Sequence, residues 1–193
     1  MKIAWHYDLL YIGGIETSLC NLFEQFKKMG IKHKMYMIHR QQYFTQDITI
    51  NRLKKYVELV NINDIDKIDV DIVIYAGMIF PYEDMKKINA KKRIGWIHFV
   101  PGEQVVTENM LLYKQYYETI DEWVCVSETS KKGLEKFIKD KPIYVIHNSI
   151  DSEEIKRLAE EPIDLDADAD TLKMVTCTRL APDKRNRARN TIM

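Results

Sequence analysis

The chain has 193 residues, of which 46% are hydrophobic and 30% are charged, enough for one complete domain and part of a second. Basic and acidic side chains each number 29, so the sequence lacks the basic excess typical of a general nucleic-acid binder. Cys20, Cys125 and Cys177 are far apart, each inside an apolar run. This spacing argues against a zinc site and against a disulfide framework.

Targeting and membrane signals are weak along the whole sequence. The N-terminal residues become polar too quickly for the apolar stretch of a signal peptide, and no uncharged run approaches the ~18–20 residues that span a bilayer. We therefore expect a cytoplasmic protein, with peripheral contact to the inner face of the membrane left open. A basic cluster within residues 86–93 could meet anionic lipid, although a solvated helix end is the better interpretation.

Short β-rich runs alternate with longer amphipathic runs along the chain, which is typical of βαβ units in a parallel sheet. Several of the short runs are apolar almost throughout, as expected when helices cover both faces of the sheet. The predicted strands are residues 2–6, 33–38, 57–62, 70–76, 93–98, 122–126 and 143–147. The predicted fold is therefore α/β, with a doubly wound parallel sheet of the Rossmann-like type.

Three helices are predicted from the sequence. The first covers residues 15–29, where apolar side chains recur at three- and four-residue spacing before Gly30 ends the helix. The second covers residues 104–120. The third begins after Ser127, a predicted N-cap, and extends to about residue 139. Residues 44–55 fit either a weak helix or a loop.

The composition changes after residue 160. An acidic stretch without basic residues is typical of a solvated linker, and one more strand-like run at 173–178 precedes a basic tail. We therefore assign residues 1–160 to an N-terminal domain, 161–171 to an acidic linker and 172–193 to the truncated start of a second domain.

A pair of glycines, Gly13 and Gly14, separates the first predicted strand from its helix. Glycines allow a ligand to approach the backbone closely, and a helix N-terminus offers N–H groups to a phosphate or a sugar hydroxyl. A tight turn without a ligand fits this pair equally well. The second strand ends in His39 and Arg40 rather than in an acid that could hold a ribose, which disfavours a nicotinamide dehydrogenase.

Three further positions are candidates for chemistry. His98 ends a predicted strand, where open α/β sheets bind their ligands, although a histidine bonded to a neighbouring carbonyl is the simpler interpretation. Asn148 also follows a strand and is most consistent with a turn or a helix cap. Arg179 and Lys184, five residues apart, would suit a diphosphate, with an exposed basic loop as the alternative.

Taken in order, five segments resemble motifs of glycosyltransferase family 4 in the GT-B superfamily. They are Gly13-Gly14-Ile15-Glu16, Trp96-Ile97-His98, Cys125-Val126-Ser127, Asn148-Ser149-Ile150-Asp151 and the Arg-Leu-Ala-Pro-Asp-Lys element at 179–184. The family usually has a glycine where Ser149 stands. It also continues with a glycine where this chain has Arg185, and its paired-glutamate element has no counterpart here.

The resemblance implies a retaining hexosyltransferase, with residues 1–160 as the acceptor-side half of a GT-B fold. Such an enzyme moves a sugar from a nucleoside diphosphate to a glycan or lipid-linked acceptor, without a metal or other cofactor. The missing C-terminal domain would hold most of the donor, so we expect this chain alone to be inactive. Asp166 and Asp168 match the letters of an Asp-x-Asp metal motif, but they lie in the acidic linker.

The resemblance also implies roles for individual residues. Gly13 and Gly14 would face the donor diphosphate or the transferred sugar, and His98 would contact the sugar or acceptor near the reacting carbon. Arg179 and Lys184 would neutralise the departing diphosphate. Residues that would contact the acceptor or support the site are Glu16, Ser127 and Asn148.

Two other functions remain open from the sequence. One is a GT-B-type nucleotide-sugar 2-epimerase, which shares the two-domain plan. The other is a non-catalytic half-domain that binds a glycan or a partner protein, for which the Tyr- and Met-rich segment 110–117 could supply a surface.

Overall fold

A computed structural model describes residues 1–8, 10, 13–40, 47–77, 82–99 and 114–162. The strands within these residues are β1 Lys2–His6, β2 Lys34–His39, β3 Glu58–Asn61, β4 Ile68–Ala76, β5 Ile88–Ile97, β6 Glu122–Cys125 and β7 Ile143–Val145. The helices are α1 Gly14–Lys28, α2 Asp47–Leu53, α3 Tyr82–Lys86, α4 Lys114–Thr119, α5 Glu128–Leu134 and α6 Ser152–Ala159, and a short 3-10 turn covers Ile62–Asp64.

All seven strands form one parallel sheet in the order β3-β2-β1-β4-β5-β6-β7. The strand order reverses between β1 and β4, so connections on the two sides of this point place their helices on opposite faces. The predicted α/β doubly wound sheet is confirmed. His6, the last residue of β1, is level with Ile38 of β2 and Tyr75 of β4, so these three strands end at one common edge.

Two apolar cores cover the two faces of the sheet. Alternate residues of β1 enter different cores: Ala4 belongs to the core that contains Tyr75 and Trp123, whereas Trp5 belongs to the one that contains the apolar face of α1. On the α1 side, Trp5 meets the ring of Phe23 edge to face, with the ring centroids 4.7 Å apart. Each large side chain buried in this way stabilises the fold by roughly 1.5–3 kcal/mol, and the alternation fixes the register of the strands.

Helix α1 is where the sequence predicts it, because its apolar residues form one buried stripe that includes Leu19, Cys20 and Phe23. Gly30 then adopts a φ of +70°, and its N–H donates to the carbonyl of Lys27 at 3.0 Å. This left-handed residue ends the helix in the way that a C-terminal glycine usually does. The predicted helix end is therefore confirmed.

Strand β5 begins at Ile88, five residues before the predicted start, so the interpretation of residues 91–93 as part of a helix end is wrong. Pairing with the whole length of β4 decides the structure of this segment. Lys91 forms an ion pair with Asp71, and Lys92 forms one with Glu122. Both cations therefore lie on a strand and are paired with carboxylates of the neighbouring strands.

The remaining helices differ from the predictions mainly in their ends. Helix α5 ends at Leu134 rather than near residue 139, and α4 lies within the predicted 104–120, of which 104–113 fall outside the described residues. The ambiguous segment 44–55 contains α2.

The Lys141 ammonium donates to the carbonyls of Tyr117 and Glu118 at 2.8 and 2.9 Å and also to that of Ile120, so a single cation caps the end of α4.

Two predictions about side chains have clear outcomes. Cys20 and Cys125 are buried and unpaired, and burial raises the pKa of both thiols; Cys177 lies outside the described residues. Tyr117 is buried and stacks on Trp123, with ring centroids 5.6 Å apart. Its ring therefore belongs to the core and cannot form part of an exposed partner-binding surface.

The chain divides into two compact units, Met1–Ser152 and Glu153–Met193. In the second unit, the Arg157 guanidinium binds the carboxylates of Glu154 and Glu161. The predicted linker beyond residue 162 and the predicted second domain at 172–193 lie outside the described residues. None of the helices in the described ranges combines the length and the apolar character needed to cross a bilayer.

Candidate functional site

The candidate site is the edge of the sheet where the parallel strands end. Open α/β sheets bind ligands at this edge, next to the point where the strand order reverses. Here that point lies between β1 and β4. The segments that leave β1, β5 and β6 at this edge include three predicted site positions, Gly13, His98 and Ser127.

The diglycine forms the start of α1. Gly13 is the N-cap in an extended conformation, without a side-chain cap, and its carbonyl accepts from the Thr17 N–H at 3.1 Å. The N–H groups of the first helical turn precede this first hydrogen bond and so have no partner within the helix. A Cβ atom built on Gly14 would have no heavy atom within 4 Å. With respect to the described residues, the space beside Gly14 at the start of the helix is therefore open.

Glu16 lies in the first turn of the same helix and is only 3% exposed. A carboxylate near a helix N-terminus is stabilised by the helix dipole. Glu16 is therefore a buried carboxylate in the helical turn that follows the two glycines.

His98 follows β5 and packs on Trp96, with ring centroids 4.2 Å apart. Burial lowers the pKa of His98 to about 4, so its imidazole is neutral at pH 7. Its Nε2 atom is shielded from solvent and has no hydrogen-bond partner among the described residues. The simpler expectation is a hydrogen bond between the ring and a neighbouring carbonyl. No described residue forms such a bond with Nε2.

The strand next to His98 places Ser127 close by. The N–H of Val126 donates to the carbonyl of Ile97 at 3.2 Å, and the Ser130 hydroxyl donates to the carbonyl of Phe99. Ser127 caps α5 by accepting from the Ser130 N–H at 3.1 Å, as the sequence predicts. The start of α5 is thereby joined to the segment that contains His98.

The turn that contains Asn148 lies elsewhere. The carbonyl of Ser149 accepts from Asn21 in the middle of α1, and Asp151 forms an ion pair with Lys28 in its last turn. Asn21 is about 10 Å along the helix axis from Gly14. The structure thus brings this turn against the side of α1 and not to the diglycine. Arg179 and Lys184 lie outside the described residues.

A polar cluster at the ends of β1 and β2 was missed by the sequence analysis. His6 Nε2 lies 2.9 Å from Asp8 Oδ1, and the Arg40 guanidinium binds Asp84 and the amide oxygen of Asn63. Burial alone would raise the pKa of Asp8, but the hydrogen bond with His6 and the charges of His6, Arg40 and His39 together lower it. Ligand atoms of His6, Asp8 and Asp84 lie within 4.8 Å of one another, a spacing that could also hold a metal ion.

An apolar cavity of about 370 Å³ lies on the α1 face of the sheet. Its lining includes Trp5, Leu22, Phe26, Trp96 and Val124. The rest of the lining includes three polar side chains, Ser18, His147 and Ser149. The cavity is thus mostly apolar and, among the described residues, its lining has no acidic or basic side chain other than a histidine.

The fold is similar to two solved structures. The lipopolysaccharide outer core galactosyltransferase WaaB, in its apo form, aligns with a TM-score of 0.54 at 17% identity over 78% of this chain and 46% of that one. Anabaena Alr3699/HepE in complex with UDP-glucose aligns with a TM-score of 0.55 at 12% identity over 83% of this chain and 49% of that one.

At this level of identity the similarity shows a shared Rossmann-like fold. The chain spans less than half the length of both proteins. No family model and no curated protein matches the sequence.

Proposed function

We propose that the chain is the acceptor-side half of a GT-B-type glycosyltransferase. The reaction would move a hexosyl group from a nucleoside diphosphate to a glycan or a lipid-linked acceptor, with retention at the sugar carbon. The observation that supports this most directly is the pairing of an open helix N-terminus at Gly13 and Gly14 with a neutral His98. Both follow strands of a fold that is shared with a galactosyltransferase and with a protein crystallised with UDP-glucose.

The open start of α1 suits the negative end of the donor. Its N–H groups lack partners within the helix, and the helix dipole adds positive potential, equivalent to roughly half a unit charge, at this point. Glycine leaves room for a phosphate or a sugar to approach the backbone. We assign Gly13 and Gly14 to the diphosphate or to the transferred sugar, and Glu16 to support of this turn.

A neutral His98 suits a sugar better than a charged one would. Its Nε2 atom can donate to, or accept from, a hydroxyl without the cost of burying a charge. We assign His98 to a contact near the reacting carbon, and Ser127 to the support of its strand end. We also propose a contact between Asn148 and the acceptor, although the turn that contains Asn148 lies along α1.

Charge develops on the diphosphate as the bond to the sugar breaks, and preorganised cations favour that transition state selectively. We assign this task to Arg179 and Lys184, without a metal ion. Because the chain spans less than half of the similar proteins, the second half would supply the remaining donor contacts. We expect this chain alone to bind a nucleotide sugar weakly and not to transfer the sugar.

The test is a titration of the ¹⁵N-labelled chain with UDP-glucose, followed by the amide shifts at 13–17 and by the imidazole shifts of His98. Gly14→Val places a branched side chain in the open space and should weaken binding about tenfold or more, without lowering the melting temperature. Met29→Val, in an exposed residue at the other end of the same helix, is the control and should bind like the parent.

Two results would contradict the proposal. One is the absence of shifts at 13–17 and at His98 at millimolar UDP-glucose. The other is equal affinity of the parent and the Gly14→Val variant. Release of UDP by the purified chain above the buffer rate would refute the narrower expectation that this half alone is inactive.

A further inference from the structure

Four side chains at the ends of β1, β2 and on α3 form a cluster that the proposed transfer chemistry does not use: His6, Asp8, Arg40 and Asp84, here called the Asp8 cluster. The His6 side chain is fully buried and that of Asp84 is 9% exposed, whereas those of Asp8 and Arg40 are 19% and 29% exposed. Asp8 and Arg40 are therefore the two members that a ligand at the strand ends can reach.

The Asp8 cluster contains two carboxylates and one guanidinium. The Arg40 guanidinium is already bound to the Asp84 carboxylate and to Asn63. Although burial alone would raise the pKa of the second carboxylate, that of Asp8, its hydrogen bond with His6 and the nearby charges of His6, Arg40 and His39 lower this pKa. Asp8 is therefore ionised at pH 7 and presents a negative charge at the partly exposed side of the cluster.

The hydrogen-bonding geometry of Asp8 leaves acceptor capacity. Its Oδ1 atom is held 2.9 Å from His6 Nε2, and a carboxylate can accept about four hydrogen bonds over its two oxygens. Arg40, which is partly exposed, binds Asp84, and a carboxylate oxygen of Asp84 lies within 4.8 Å of one of Asp8. A guanidinium has five N–H donors, of which the bonds to Asp84 and Asn63 use two. Sugar hydroxyls both donate and accept, so they match an acceptor and a donor placed side by side.

We propose that Asp8 and Arg40 form a subsite for a neutral, hydroxyl-bearing sugar of the acceptor, and that the Asp8 carboxylate excludes anionic groups such as a uronate or a phosphate. The inference rests on the proposed transferase function and names the class of its acceptor. A divalent cation is the competing occupant, but it would have to displace Arg40 from Asp84 before it could use all three ligand atoms. The existing ion pair therefore favours the sugar.

The experiment uses the complete chain and probes that differ only in charge. The methyl glycosides of glucose, galactose and mannose are each titrated beside the corresponding methyl uronide, and the amide shift of Asp8 reports binding. We expect at least one neutral glycoside to bind about tenfold or more tightly than its uronide, because an anion would face the Asp8 carboxylate at hydrogen-bonding distance.

Asp8→Asn removes the charge and should weaken the neutral glycoside while abolishing the discrimination against the uronide. Asp8→Glu keeps the charge and should retain the discrimination, even if either substitution lowers stability. Asp71→Asn is the matched control: this carboxylate is also paired with a basic side chain, that of Lys91, but it lies in the first half of β4, away from the strand ends. Its loss should leave both affinities unchanged.

Binding of UDP-glucose is measured on the same samples, so that the two ideas can fail separately. Normal UDP-glucose shifts with no neutral glycoside binding, or with equal binding of the uronide, would overturn the subsite and leave the transferase proposal standing. Preference for the neutral glycoside without UDP-glucose binding would support a sugar site and refute the transferase. Micromolar binding of Mn²⁺ or Zn²⁺ that is lost in Asp8→Asn would show that the cluster is a metal site, and would overturn the inference.

Discussion

His98 gives the sharpest test of the site, because its environment sets both its charge and part of the stability of the fold. Burial lowers the pKa of His98 from an ordinary 6.5 to about 4. Between these values the unfolded chain binds a proton that the folded chain does not bind. The free energy of unfolding should therefore be lower at low pH, should rise with pH across this window, and should level off above pH 6.5.

The two pKa values also set the size of the effect. A single histidine with these values removes about 2 kcal/mol from the free energy of unfolding when the pH falls from 7 to 5. By the same relation the loss is about 3 kcal/mol at pH 4, and it is complete only below that pH, where the folded chain is also protonated. Because His39 also has a lowered pKa, the parent protein should lose more than His98 alone accounts for, and a variant is needed to separate the two.

The variant is His98→Gln, with urea unfolding measured at pH 7 and at pH 5. We expect the loss of stability between these pH values to be about 2 kcal/mol smaller in the variant than in the parent. His33→Gln, in an exposed histidine, should keep the parent's pH dependence. If His98→Gln shows the same pH dependence as the parent, His98 is not buried as a neutral ring, and the proposed contact with the sugar loses its basis.

Two further predictions concern stability. Gly95→Ala should destabilise the fold by about 1–3 kcal/mol or more, because the new Cβ would lie 2.3 Å from the Trp123 ring. Gly14→Ala places its Cβ in open space and should not destabilise the fold. Equal melting temperatures of the two variants would contradict the packing of Gly95 against Trp123. Lys141→Met should cost about 1–3 kcal/mol in urea unfolding, because it leaves the carbonyls at the end of α4 without their donor. Lys139→Met, in an exposed residue nearby, should cost little, and similar losses in both variants would refute the capping role.

The fold could be predicted from the sequence because its strongest signals are local. Strand β1 is predicted without error, and α1 is predicted to within one residue at each end, since apolar periodicity and Gly30 define them. The start of β5 could not be predicted in the same way. Its first residues, from Ile88 onward, alternate between apolar and polar side chains beside several lysines, and only pairing with β4 shows that they form a strand.

The candidate site was predictable to a similar extent. Gly13 and His98 each follow a strand, so a position along the sequence is enough to place them at the ligand-binding edge. The Asp8 cluster was not predictable, because Asp8, Arg40 and Asp84 are separated by tens of residues and meet only through the order of the strands. The sequence contains one weak local indication of this cluster: two titratable residues, His6 and Asp8, lie two positions apart at the end of an apolar strand.

The opposite edge of the sheet supports the choice of the strand ends as the site. A larger cavity, of about 740 Å³, lies there, at the beginnings of β1, β4 and β5. Asp71, however, accepts from the Lys2 N–H and pairs with Lys91, and Asp69 accepts from Asn89. A ligand there would have to compete with partners already in place. At the strand ends, by contrast, α1 begins without a side-chain cap, and the Nε2 atom of His98 has no hydrogen-bond partner within the described part of the chain. Unused hydrogen-bonding capacity, rather than cavity volume, is therefore the reason to prefer the strand ends as the candidate site.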